Sequence, residues 1–235
     1  MIATIWRVTL KTQATRARLL ALGLLGLVGL AIGLAIGLGD VTDRLDASTN
    51  MINAFGLSLY VPVVTLVFAS AALGDPAEDG TLVYLWLRPV PRWQIVAGTV
   101  LATLTVTMPL VLATVGLAAV LTGAGARLVG GALAASALAV LAYTTIFTWL
   151  GLRVRRALVW GLAYILLWEG FVASAGRSAA RLAVRAYTRS VLAHATGIQL
   201  KLATVSVAFA VAVPLAISVV AGVVTVRRLR RTEVA

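Results

Sequence analysis

Between Arg18 and Asp40 the chain runs through 21 residues, Leu19 to Gly39, without one charged side chain. As a helix such a run rises about 30 Å, the hydrocarbon thickness of a bilayer. Further charge-poor runs follow along the chain, so this first one is a retained span. It is too long for a signal-peptide core, and Asp40-Val-Thr-Asp offers no small-x-small cleavage site after it. The whole chain bears this out, with 61% hydrophobic and only 12% charged residues, where soluble proteins carry about a quarter charged. At about 20 residues per span, 235 residues hold about six spans joined by short loops. That leaves no room for a sizeable water-soluble domain, which excludes a fused nucleotide-binding, kinase or DNA-binding unit. The net charge of +12 is therefore read first as membrane topology.

The charges divide the chain into spans at 19–39, 52–74, 94–121, 128–151, 157–175 and 202–226. The expected fold is all-α, a single polytopic membrane domain over residues 1–235. A transmembrane barrel would need two-residue alternation with a polar lumen face, and Leu110-Val-Leu-Ala-Thr-Val-Gly-Leu shows neither. With both termini cytoplasmic, the inner segments hold 13 Lys and Arg and the outer segments seven, the bias of a multi-pass plasma-membrane protein. The chain has no Cys and one His, which removes disulfides, thiolate catalysis and a histidine metal cluster within one chain.

Gly29, Gly33 and Gly37 stand four apart and form one helix face, suited to close packing with another span of this chain or with a second copy. The same stretch ends Gly37-Leu-Gly-Asp40, a superficial match to the GxGD of intramembrane aspartyl proteases. That chemistry needs a second membrane carboxylate to share a proton, and Glu169 lies in a helix without the matching Tyr-Asp pair. Asp40 is expected at a helix end in water. Glu169 itself, 13 residues after Arg156, falls about 20 Å up a straight helix, in the outer half of the bilayer. A carboxylate there must face a partner, a cavity or a proton; the expectation is that it orders the outer end of the bundle. Beyond it Arg177, Arg181, Arg185 and Arg189 recur every four residues, with Ala180, Ala183, Tyr187 and Val191 turned away. The pattern predicts an amphipathic extracytoplasmic surface helix with its guanidiniums on lipid phosphates. His194 is expected as an interfacial polar residue.

The charged segment from Asp75 to Arg92 is more structured than a turn. Asp75, Pro76 and Glu78 have the spacing of a helix N-terminus with a capping box, followed by Asp79, Gly80 and Thr81. Leu82, Leu85 and Trp86 then give one apolar face, and Arg88-Pro89 breaks the helix before Arg92. A short interfacial helix results, serving either as a docking element or as a plain connector of two spans.

Acid, Gly80-Thr81-Leu82, a short apolar helix and Pro89-Val90-Pro91-Arg92 together resemble the cytoplasmic loop of type-2 ABC transporter permeases. In that family a Glu-rich stretch precedes Gly-Thr-Leu and a Pro-Val-x-Arg motif follows. Glu78 stands for the family's second Glu, whereas Pro76 replaces the first, and Thr99 after Gly98 stands where lysine is common. Trp160-Gly-Leu-Ala-Tyr-Ile-Leu-Leu-Trp-Glu-Gly is similar to a Trp-Glu pattern of bacterial members. The resemblance implies an ABC exporter permease: six-span subunits, this chain with a second copy or a related permease, form the substrate pathway in the lipid membrane. The coupling helix of the loop docks on a separate ATPase, two copies per transporter, which supplies ATP and Mg. A phosphate-binding loop needs glycine before its lysine, and neither Lys11 nor Lys201 has one, so no ATPase activity and no cofactor is expected in this chain. A secondary transporter or channel is the alternative; it would call on coupling carboxylates or glycine-broken helices at mid-membrane.

Overall fold

The computed structural model describes residues 1–80, 90–171, 182–200 and 205–231. Among these residues the chain is entirely helical. It opens with α1 (Ile2–Gln13) and α2 (Arg16–Leu38). A continuous helical run follows, made of α3 (Arg44–Met51), a π-helical stretch (Ile52–Tyr60) and α4 (Val61–Glu78). Then come α5 (Arg92–Leu121), α6 (Ala126–Arg153), α7 (Ala157–Ala163) continuing as a second π-helical stretch (Tyr164–Phe171), α8 (Val184–Thr196) and α9 (Val207–Arg231).

Five of the described helices are long and apolar enough to cross a membrane: α2, the run Arg44–Glu78, α5, α6 and α9. The fifth expected span, 157–175, is represented by Ala157–Phe171, a shorter apolar helix, and its expected end at 175 lies outside the described residues. Four expected boundaries move by four residues or more. The second helix starts eight residues before residue 52, because Asp43 accepts the N–H of Asp46 at 3.1 Å and nucleates a first polar turn. It also passes 74 and ends at Glu78. The last helix begins at Val207 and runs on to Arg231, since arginine has a high helix propensity and its long stem lets the charge reach water while the backbone stays helical.

Burial sorts the helices. The run containing α4 and the helix α6 form the centre: twelve α4 residues from Val61 to Gly74 are buried on every side, as expected of a helix with no polar face. Tyr60, Phe68, Tyr143 and Phe147 are the largest side chains fully enclosed there. By contrast α2 buries only Leu22, Gly26, Gly29 and Gly33. Its opposite face, with Leu20, Leu24 and Leu27 more than half exposed, is left for lipid tails.

The small-residue face of α2 turns inward, within the chain. A Cβ at Gly33 would stand 2.6 Å from the Ala118 carbonyl oxygen of α5, and one at Gly37 would run into the Leu121 carbonyl. Gly29 accommodates the ring of Phe55. Between apolar helices in lipid no hydrophobic gain drives association, so backbone proximity and van der Waals contact hold α2 in place. The α4–α6 pair does the same at the other end of the bundle, where Gly151 lies against the backbone of Ser70 and Gly74 against that of Gly151.

The π-helical stretch ahead of α4 has a local cause. The wide register persists to Val61, whose N–H reaches the carbonyl of Gly56. The next residue, Pro62, has no N–H to contribute, and the register returns to α there.

The helix α1, absent from the expectations, lies along α5. The indole N–H of Trp6 donates to Thr105 Oγ1 at 3.0 Å, and Ile5 packs over Gly98. Gln13 is 2% exposed, and its amide donates to the Phe68 carbonyl at 3.2 Å and to Thr103 Oγ1 at 2.9 Å. Apolar residues at Ile2, Ile5, Trp6 and Leu10 carry the helical spacing that could have revealed it.

The close approach yields a first test. Gly37→Ala must push α2 off α5, whereas Gly23→Ala meets nothing within 4 Å. Gly37→Ala is expected to cost about 1–3 kcal/mol by overpacking and to lower the melting temperature in detergent, while Gly23→Ala leaves it unchanged or slightly raised. Equal melting of the two variants would contradict the packing described.

Candidate functional site

Two polar clusters stand at different levels of the bundle, one at the end of α4 and one beside Tyr143 in the interior of α6. The first gathers at the C-terminal end of α4, where the chain leaves the helix toward residues 81–89. Asp75 accepts an ion pair from Arg18 at the base of α2, 3.0 Å. Glu78 Oε1 accepts the backbone N–H of Arg156, 2.7 Å, at the start of α7. Arg156 has φ of 58° and is the only described non-glycine residue at positive φ, a conformation an L-residue holds only when its surroundings fix it. Asp79 caps the C-terminus of α4, and Gly80 follows at φ of 67° with open space around it.

This corrects the expected capping box. Asp75 and Pro76 do not begin a helix; they lie in the last turns of α4, which continues to Glu78. Proline inside a helix forfeits one hydrogen bond and crowds one carbonyl, about 3 kcal/mol, but α4 ahead of it is enclosed by α6, α5 and α7 together, and tertiary packing carries the helix through. Thr81, Leu82, Leu85, Trp86, Arg88 and Pro89, the expected docking face and its break, lie outside the described residues. Arg92 opens α5 after Pro91. Leu73, Ile95, Val96 and Leu229 form a small separate apolar cluster with Val90 and Ile5 against it, where α1 meets the ends of α4, α5 and α9.

The second cluster surrounds Glu169, 3% exposed. Tyr143 of α6 donates its hydroxyl to Oε2, and Tyr164, one turn back, donates to Oε1 at 3.0 Å. The backbone N–H of Val184, at the start of α8, faces the same carboxylate, where the helix dipole also favours a negative charge. Arg185 donates to the Glu169 backbone carbonyl, 3.2 Å. A carboxylate at mid-membrane costs about 3 kcal/mol on insertion scales, and two hydrogen bonds to a charged acceptor return about 1.5–3 kcal/mol each. The group is therefore held, and it ties α6, α7 and α8 together. Ring contacts continue the link, with Tyr143 stacked on Phe147 at 5.6 Å and Phe147 edge-on to Tyr164 at 6.2 Å.

The expected surface helix with four aligned arginines is also corrected. α8 begins only at Val184, after an extended Ala183, so the helix cannot carry Arg177 and Arg181, which lie outside the described residues. Its two described arginines do not face a headgroup layer: Arg185 turns to Glu169, and Arg189 is 8% exposed. The helix is clamped by α6, α9 and the first π-helical stretch, and Ala195 sits directly over Gly131. Small residues on α6 let α8 sink in where amphipathicity alone predicts that it floats. His194 is exposed and bonds the Ser190 carbonyl at 2.7 Å, and Asp40 is exposed just past the end of α2.

Sequence reasoning found both clusters but not their partners. Tyr143 and Tyr164 gave no signal among many apolar neighbours, and Glu78, expected in a capping box of its own helix, instead accepts the N–H of the distant Arg156.

The sequence matches the family described as ABC-2 family transporter protein over residues 9–179, most of the chain. The chain belongs to the ABC-2 transporter family. It is thus a membrane subunit of an ABC transporter, and transport, not catalysis, is the general role of such a permease. The matched region includes the cluster at the end of α4, Glu169 with both its tyrosines, four of the five membrane-length helices and the shorter apolar helix Ala157–Phe171. No protein of curated function matches it.

The tyrosine cage predicts unequal responses at one position. Glu169→Gln keeps an acceptor for a tyrosine hydroxyl, whereas Glu169→Leu strands two buried hydroxyls at about 1–3 kcal/mol each. The Leu variant is expected to melt several degrees lower than Gln in detergent, with transport retained in Gln. Loss of transport in Gln at normal stability would show that the charge itself is used.

Proposed function

We propose that this ABC-2 family chain is the membrane subunit of an ATP-driven exporter. It pairs with a second permease, couples to a separate ATPase through the loop from Asp75 to Arg92, and has both termini and that loop on the cytoplasmic side across six spans. The observation that carries this reading is the pair of contacts at the end of α4. Arg18 on Asp75 and the Arg156 N–H on Glu78 link the helix leading into the loop to α2 and α7, so a displacement of the loop reaches three membrane helices. Both contacts are exposed, worth about 1 kcal/mol each, and so can break and re-form within a transport cycle. ATP and Mg bind to the partner; this chain converts the partner's motion into alternating access. Glu169, the acid a proton-coupled carrier would use, is instead held by two tyrosine hydroxyls, which favours the ATP-driven reading.

The test is to purify the tagged chain from its host membrane and identify what accompanies it. An ATPase at comparable abundance is expected. Gly80→Val forces a β-branched residue into positive φ and should insert normally yet lose that ATPase or its stimulated turnover, about tenfold or more, whereas Arg127→Ala at the opposite end retains both. Glu78→Gln, which keeps an acceptor for the Arg156 N–H, is expected between the two. Normal ATPase association and transport in Gly80→Val would return the loop to a plain connector.

A further inference from the structure

A cleft of about 460 Å³ opens between α5 and α9 on the outside of the bundle. Its walls are Val96 and Val100 from α5 and Gly222 and Val223 from α9, and Thr145 of α6 lies at its floor. The Thr145 hydroxyl is already used by carbonyls of its own helix, so the interior offers no polar group in search of a ligand. The rim is different: Arg227 and Arg230 stand at one end with Trp93, which is 49% exposed. No Asp or Glu occurs anywhere between Val207 and Arg231, so the helix supplies those two cations with no acid of its own. Along α9 the cleft extends from Ser218 to Arg230, about 18 Å at 1.5 Å per residue, close to the depth of one leaflet, about 15 Å. An open apolar channel one leaflet deep, with cations and an indole at the water end, has the dimensions and charge order of a phospholipid.

We propose that this cleft binds one anionic phospholipid of the cytoplasmic leaflet, with an acyl chain along Val96, Val100 and Val223 and the phosphate on Arg227 and Arg230. Cationic side chains at that depth attract anionic headgroups, and tryptophan is favoured at the interface. Gly222 is what keeps the channel open, because a Cβ there meets nothing within 4 Å; a larger residue enters the cleft without displacing the protein.

The test uses the full chain in detergent, titrated with phosphatidylglycerol or phosphatidylcholine and followed by native mass spectrometry. Wild type is expected to retain one phosphatidylglycerol in preference to phosphatidylcholine. Arg227→Gln with Arg230→Gln should weaken that binding by about thirtyfold and abolish the preference. Gly222→Leu should lower the occupancy for both lipids, and Gly23→Leu, on the free face of α2, should change neither. Equal lipid retention in wild type, the double arginine variant and Gly222→Leu would overturn the proposal. So would a Gly222→Leu variant that keeps its lipid but loses a dimer seen in wild type, since the cleft would then be an interface between two copies of the chain.

Discussion

The backbones of α4 and α6 touch at Ser70 and Gly151, closer than any Cβ would permit, and this approach organises the bundle around it. In hydrocarbon an apolar helix gains nothing by leaving lipid for another apolar helix, so a stable pair needs either glycine-level proximity or polar bonds. This chain uses proximity for its long contacts: Gly151 on α4, Gly33 and Gly37 on α5, Gly131 beneath α8. With α4 enclosed, the other helices arrange themselves by how much of their surface they can leave to lipid, and α2 and α9 leave the most.

Polar groups are used sparingly and in two ways. Most buried hydroxyls turn back on their own helix, as Thr65, Ser70, Thr107 and Thr148 do to carbonyls one turn earlier, which satisfies them without joining anything. A few bridge helices instead. Tyr60 meets Thr114 at 3.0 Å, Gln13 joins α1 to α4 and α5, and Tyr143 with Tyr164 closes on Glu169. These three bridges lie buried or partly buried within the bundle, unlike the exposed Trp6–Thr105 bond and the exposed contacts at the end of α4. That difference suits a bundle that stays assembled while the joints at one end move, as the proposed transport cycle requires.

The membrane character, the helical class and the glycine packing face of α2 were legible in the sequence because each depends on local composition and spacing alone, whereas the turn of that face toward α5 was not. Glu169 was legible as an anomaly, since burial of an acid demands a partner, but Tyr143 lies 26 residues away and no local pattern selects it. The loop was misjudged where local rules and packing disagree. Asp75-Pro76 has the chemistry of a helix start, and only the enclosure of α4 by α6, α5 and α7 carries the helix past it. The stripe from Arg177 to Arg189 misled for the same reason, because the four-residue spacing predicts a continuous helix and the extended backbone at Ala183 interrupts it. In each case the deciding term is a contact between segments distant in sequence.

In the proposed arrangement the end of α4 lies in the cytoplasm, and the turn at Ala126 and the segment at Gln199 lie on the other side of the membrane. The natural chain has no cysteine, so single cysteines at Asp79, Ala126 and Gln199, all exposed, can be labelled in sealed vesicles of known orientation with a membrane-impermeant maleimide. Asp79→Cys is expected to react only from the cytoplasmic face, and Ala126→Cys and Gln199→Cys only from the other. Labelling of Asp79→Cys and Gln199→Cys from the same side would contradict the arrangement.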